Sequence, residues 1–279
     1  MADTQFLEWP FFDDSHRQLA HELDAWAAKT QERLAREHDA HDADALTRAW
    51  VRALGEAGWL RYSAVDPDQP DQGLDVRSLC VIRDTLARHH GLADFAFAMQ
   101  GLGTGALSLF GNAAQREVLR QSRKGQAITA FALTEPQSGS DVAHSTMTAR
   151  LEADHYVLDG EKTWISNGGI ADGYTVFART GEGPGAKGLS AFWVPASTPG
   201  LEVVERLETI APHPLARLRF AACRVPLAAR IGEPGAGFRI AMSVLDVFRS
   251  TVAAAALGFA RRALDEAVQR VHARHIAGQ

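Results

Sequence analysis

Apolar and polar positions along this chain fall into three regimes. From His16 to His38, Leu19, Leu23, Trp26 and Leu34 recur at near-helical steps and mark one face of a helix. Ala45–Ala57, closed by Gly58, and Asp75–His90, with Val76, Leu79, Val81, Ile82 and Leu86, read the same way, as does Ala113–Ser122. Leu92–Phe110 is apolar nearly all round, which predicts a buried helix, and Gly111-Asn112 breaks it. Near Ala127 the character changes. Ile128–Leu133, Tyr174–Arg179, Leu189–Pro195, Leu201–Leu207 and Leu218–Val225 predict strands, and Tyr156–Leu158 with Lys162–Ile165 predict a hairpin turning at Asp159-Gly160. From Ala236 the chain is helical again, with Phe238, Met242, Leu245, Val252, Ala256 and Phe259 at steps of three, four and seven. A helix this long and apolar needs partners to bury it. The pattern predicts a multidomain α+β chain: an N-terminal all-α domain over 1–125, a middle antiparallel β domain, barrel or sandwich, over 126–233, and a long helix opening a further α domain over 234–279.

Composition narrows the function. The chain has 279 residues, is 46% hydrophobic and 23% charged, and carries a formal net charge of −5. With no dense basic stretch, that disfavours a nucleic-acid surface. Cys80 and Cys223 have no metal-type spacing and suggest a reducing compartment. The acidic N-terminus lacks a basic-then-apolar export signal, and no apolar run approaches membrane-spanning length. The expectation is a cytoplasmic protein that contacts neither membrane nor nucleic acid. HDAHDAD (His38–Asp44) holds metal-capable residues but reads as a solvated helix junction with Asp N-caps, so no metal site is expected.

Two stretches carry candidate chemistry. In Phe131–Asp141, FALTEPQSGSD, Pro136 pushes Glu135 out of the helical region. Ser138, Gly139 and Ser140 leave backbone amides uncovered, which suits phosphate oxygens or the polar edge of a flat heterocycle. Trp164–Gly169, WISNGG, ends a strand with an aromatic plate, a hydroxyl and a turn. The alternatives are a plain strand–loop junction, a plain turn, and a core aromatic at Trp164. Gly181–Gly188 lacks the strand-to-helix context of a phosphate loop and reads as a mobile hairpin loop. Arg249, seven residues from both Met242 and Ala256, falls on the apolar stripe, where Asp246 can pair with it; a surface ion pair is the alternative. Phe95, Phe97 and Met99 read as pocket walls or as simple core.

Thr134-Glu135-Pro136 with Gly139-Ser140-Asp141, then Gly160, Lys162 and Trp164-Ile165-Ser166-Asn167-Gly168, resembles the acyl-CoA dehydrogenase family, and the likeness continues through IGEPGAGFRIAM and AAAALGFARRALDEA. The resemblance implies FAD held between the β domain and a C-terminal four-helix bundle, of which 234–279 would be the start, so the chain is expected to be an incomplete form. It implies cofactor contacts from Phe131, Leu133, Thr134, Gly139, Ser140, Trp164, Ile165 and Ser166, and substrate contacts from Ser140, Phe238, Met242, Asp246 and Arg249. It implies an acyl-CoA substrate dehydrogenated across its α and β carbons, an acceptor such as an electron-transfer flavoprotein, and a homo-oligomer. The family's base is a Glu, either late in the bundle or just before the arginine matched by Arg249. The latter position is Phe248 here, so no catalytic base is expected in this chain and the Glu is expected beyond Gln279. Glu135 reads as a structural or backbone-capping carboxylate. Two segments depart from the pattern. Ile210–Phe220, IAPHPLARLRF, has two prolines and no Ser, and Arg274–Gly278 lacks an expected Phe at a subunit contact. A same-fold flavin oxidase or monooxygenase and a non-catalytic flavin- or protein-binding module remain alternatives.

Overall fold

In a computed structural model, residues 4–274 are described. The segment from His275 to Gln279, which holds most of the departing Arg274–Gly278 motif, lies outside the described residues. The first part is helical: α1 (Asp14–Glu37), α2 (Ala43–Glu56), α3 (Val76–His89), α4 (Gly91–Phe110) and α5 (Glu117–Arg123). The helix starts follow from side-chain caps. Asp42 Oδ1 accepts the Ala45 amide at 2.9 Å, and Asp75 Oδ1 accepts the Arg77 amide at 3.2 Å. HDAHDAD is therefore a capped junction between α1 and α2. Trp50, Leu54, Leu79, Ile82, Phe97 and Leu107 are fully buried where these helices meet.

The middle part is an eight-stranded sheet: β1 (Thr129–Ala132), β2 (Thr148–Glu152), β3 (His155–Ser166), β4 (Gly173–Arg179), β5 (Leu189–Pro195), β6 (Leu201–Arg206), β7 (Leu215–Pro226) and β8 (Arg230–Ile231). The order is β6-β7-β3-β2-β4-β5-β8, with β1 also on β4. The pairing is mostly antiparallel, but β1 runs parallel to β4, and β2 meets β4 in parallel at Thr148 and Arg179. Asp159-Gly160 is not a turn. It lies inside β3, at a shift in register against β7. Asp159 Oδ1 accepts the Ala222 amide at 2.7 Å, and Gly160, at φ 146, passes so close to Met147 that a Cβ would lie 2.8 Å from its side chain. The hairpin turn is instead at Ala153-Asp154, between β2 and β3.

α6 (Gly237–Ala273) packs on α3, α4 and β5. It buries Ile240, Ala241, Val244, Phe248, Thr251, Ala255 and Gly258. The stripe expected from the sequence lies beside that face rather than on it: Phe238, Met242 and Leu245 are half-buried, and Val252 and Phe259 are exposed. α6 is also long and apolar enough, by length and composition alone, to cross a membrane, which a count of uninterrupted apolar runs does not register. Its buried face joins it to the helical core, and Arg83 on α3 donates to Thr251 Oγ1 at 3.1 Å.

Candidate functional site

The two motif stretches fold onto each other. β1 and the two residues after it bring Phe131, Leu133 and Thr134 beside β3, where the Thr163 amide donates to the Thr134 carbonyl at 2.9 Å. Asn167, just past β3, donates through Nδ2 to the Thr129 carbonyl at 2.9 Å, closing the far end of the strip. Between Lys162 and Ile165 the register of β3 against β7 shifts, and Trp164 takes φ 57. The shift turns Lys162 and Ile165 inward and leaves the Trp164 ring 59% exposed. Trp164 is thus no core aromatic.

The remaining predicted residues sort by exposure. Leu133 and Ile165 are buried and can present only backbone, whereas Thr134 and Ser166 are half-buried and Gly139 and Ser140 are exposed. Phe131 is half-buried, with its ring 5.0 Å from that of Phe177. The hydroxyls of Thr134, Ser140 and Ser166 have no hydrogen-bond partner among the described residues, and Gly139 has open space where a side chain would stand. An exposed ring, unpartnered hydroxyls and an uncovered loop fit a flat heterocycle with a phosphate tail.

Under this strip lies a buried ion pair. Lys162 Nζ donates to Glu135 Oε1 at 2.8 Å and to the Leu133 carbonyl at 3.0 Å. Burial pushes the ammonium down to about 8, against the pull of the Glu135 charge. Burial also pushes the Glu135 carboxyl up, but Lys162 and the Thr146 donors outweigh it and hold the group below the usual range. Glu135 accepts from the Thr146 amide, the Thr146 hydroxyl and the Met147 amide at 2.6, 2.9 and 3.1 Å, a capping carboxylate as its place before Pro136 suggests.

The second predicted set sits on α6. Asp246 and Arg249 pair at 2.8 Å, both well exposed, so Arg249 lies off the buried face and the surface-pair alternative describes it. Phe248 is buried against Gly101 of α4, so this position offers a packed ring and no carboxylate. Of the three aromatic and Met positions on α4, Phe97 is core, while Phe95 and Met99 line an open cleft of about 480 Å³. Phe259, Ala211, Pro212 and His213 also line it. The departure at Ile210–Phe220 therefore reaches this cleft: the His213 ring lies 4.9 Å from that of Phe95, tilted by 52°, and its Nδ1–H donates to the Ala211 carbonyl at 2.8 Å. One feature of the cleft is absent from the sequence reading. Arg83 grips Asp94 with bonds of 2.8 and 2.7 Å, nearly buried at the cleft's edge. Its only signal is charge at inward positions of two helices.

Three stretches match acyl-CoA dehydrogenase domains: the N-terminal domain over residues 13–122, the middle domain over 130–223 and the C-terminal domain over 235–279. The mitochondrial short-chain specific acyl-CoA dehydrogenase of Rattus norvegicus is 37% identical over 234 residues, covering 82% of this chain and 56% of that protein. Among solved structures, a putative acyl-CoA dehydrogenase from Mycobacterium smegmatis superposes with a TM-score of 0.82 at 30% identity, over 94% of this chain and 69% of that one. Butyryl-CoA dehydrogenase from Megasphaera elsdenii gives a TM-score of 0.81 at 29% identity, over 94% and 70%. The chain belongs to the acyl-CoA dehydrogenase family. It spans about half the length of the curated relatives it matches.

Proposed function

We propose that this chain binds FAD along the strip from Thr134 to Trp164 and serves an acyl-CoA dehydrogenase that oxidises a thioester across its α and β carbons. The observation that carries the reading is the 2.9 Å bond from the Thr163 amide to the Thr134 carbonyl, which joins the two motif stretches into one surface. On it the Trp164 ring offers an apolar plate, the Thr134 and Ser166 hydroxyls face the polar edge of the ring system, and Gly139 and Ser140 offer amides to the diphosphate. The bound flavin supplies the oxidation, and the protein supplies position and electrostatics. Phe238 and Met242 on α6, with the cleft at Phe95 and Met99, are the residues we assign to the thioester side; Asp246 and Arg249 would meet its polar part. Names of relatives that specify short-chain and butyryl substrates support a short acyl group. A flavoprotein electron acceptor, a homo-oligomeric assembly and a cytoplasmic location belong to the same proposal, the last supported by the free thiols of Cys80 and Cys223.

Proton removal next to a thioester needs a base within hydrogen-bond reach. Phe248 cannot accept a proton, and Asp246 is turned about 200° around the helix from it. We therefore expect the 279-residue chain to bind flavin and thioester without oxidising the latter. Two measurements test the proposal. A stacked ring is worth about 1 kcal/mol, so Trp164→Ala should weaken FAD binding roughly fivefold; undiminished flavin occupancy after dialysis would remove Trp164 from the site. Anaerobic titration with short acyl-CoA thioesters should leave the flavin absorbance unbleached. Rapid bleaching would show a base within these residues, and Asp246 would be the first to replace.

A further inference from the structure

Lys162 is fully buried on β3, and its ammonium meets the segment just past β1. Burying an ion pair is a poor route to stability, because desolvation offsets the attraction and apolar residues of similar volume often hold a fold as well. Its geometry suggests another use. The ammonium grips the Leu133 carbonyl and the Glu135 carboxylate together, at 3.0 and 2.8 Å. The other carboxylate oxygen holds the amide and hydroxyl of Thr146. One pair thus ties the start of the Glu135–Thr146 loop to its return, and both to β3, two residues before Trp164. Thr134 lies between the two gripped residues, and its carbonyl is already engaged by Thr163. No apolar pair could hold a carbonyl and two amides at once.

We propose that the Lys162–Glu135 pair is a positioning device for the cofactor strip: it fixes Leu133–Glu135 against Thr163–Trp164 before any cofactor arrives, so that the Thr134 hydroxyl and the Trp164 ring are presented at a set spacing. The inference rests on the flavin reading above, and it goes beyond it by assigning the pair to preorganisation rather than to stability. A site ordered in advance binds more tightly because less freedom is lost on binding.

The test uses the full chain with both charges replaced, Lys162→Met with Glu135→Leu. Measured well below its melting temperature, where it is folded, the double variant should bind FAD about tenfold more weakly than the unaltered protein. The flavin it does bind should show the unresolved visible band of free flavin. Equal FAD affinity and an unchanged spectrum in the folded double variant would overturn the inference. A second measurement needs no variant. In the cofactor-free protein, the amides of Thr146, Met147 and Thr163 should exchange with solvent as slowly as those of β4, and fast exchange there would also overturn it. If the unaltered chain binds no FAD at all, the flavin reading fails, while the exchange rates still report whether the loop is fixed.

Discussion

At the scale of single residues, the Lys162–Glu135 pair makes opposite demands on its two members. Removing Lys162 alone strands a buried carboxylate, and Lys162→Met should cost about 3–5 kcal/mol, a fall of roughly 10 °C in melting temperature. Glu135 sets a pH dependence. Its carboxyl is held below the usual value in the folded protein, so folding favours the ionised form. That contribution is complete above the unfolded pKa of about 4.3 and is lost as pH falls through the folded value. The melting-temperature gap between the unaltered protein and Glu135→Gln should therefore be widest above about pH 5 and close on further acidification. Thermal melts between about pH 6 and pH 3 check it. The capping role of Glu135 shows in the sequence, but its pairing with Lys162 does not. They are 27 positions apart, and a lysine inside a strand reads locally as an outward charge.

At the scale of elements, the helices α1 to α5 were legible because their caps and periods are local. α6 was legible as a helix but not in its orientation. It is apolar on more than one side, so the period admits several stripes, and the one that wins is set by where α3 and α4 lie. Gly101 shows the fit: a Cβ there would stand 2.6 Å from the Phe248 ring. Gly101→Ala should gain about 1 kcal/mol of helix propensity and lose about 1–3 kcal/mol to overpacking, a net destabilisation that Phe248→Leu should relieve. Chemical denaturation of the single and double variants measures both. The sheet gave the converse lesson. Asp159-Gly160 carries a strong local turn signal, but Ala222 and Met147 claim it for a bulge. The candidate strip was legible as two motifs. Their meeting depends on β1 and β3 coming together, which no local pattern encodes.

At the scale of the whole molecule, α6 presents Val252, Leu257, Phe259, Leu264, Val268 and Val271 exposed. Leu257, Leu264, Val268 and Val271, at steps of seven, four and three, share one side of the helix, and an exposed apolar stripe of this kind is rarely tolerated by a soluble monomer. The 279-residue chain should self-associate at micromolar concentration, and Leu264→Glu with Val268→Lys should reduce that association. Light scattering reads both, and a clean monomer at high concentration before any substitution would sink the idea. The second half of α6 is held mainly by charge: Arg88 reaches Asp265 at 2.9 Å and Arg261 reaches Asp84 at 3.2 Å. Ionic contacts are screened by salt, so this end of the helix should loosen first as salt is raised.

The left-handed backbone at Trp164 has a consequence for how the chain can change over generations. A bulky residue at φ 57 costs roughly 1–2 kcal/mol, and its exposed ring returns little to the fold. Glycine would relieve that cost. Trp164→Gly should therefore melt as high as the unaltered protein, or higher, even as it loses its hold on flavin. Drift under selection for stability alone would erase this tryptophan; only a requirement for what the ring touches would keep it.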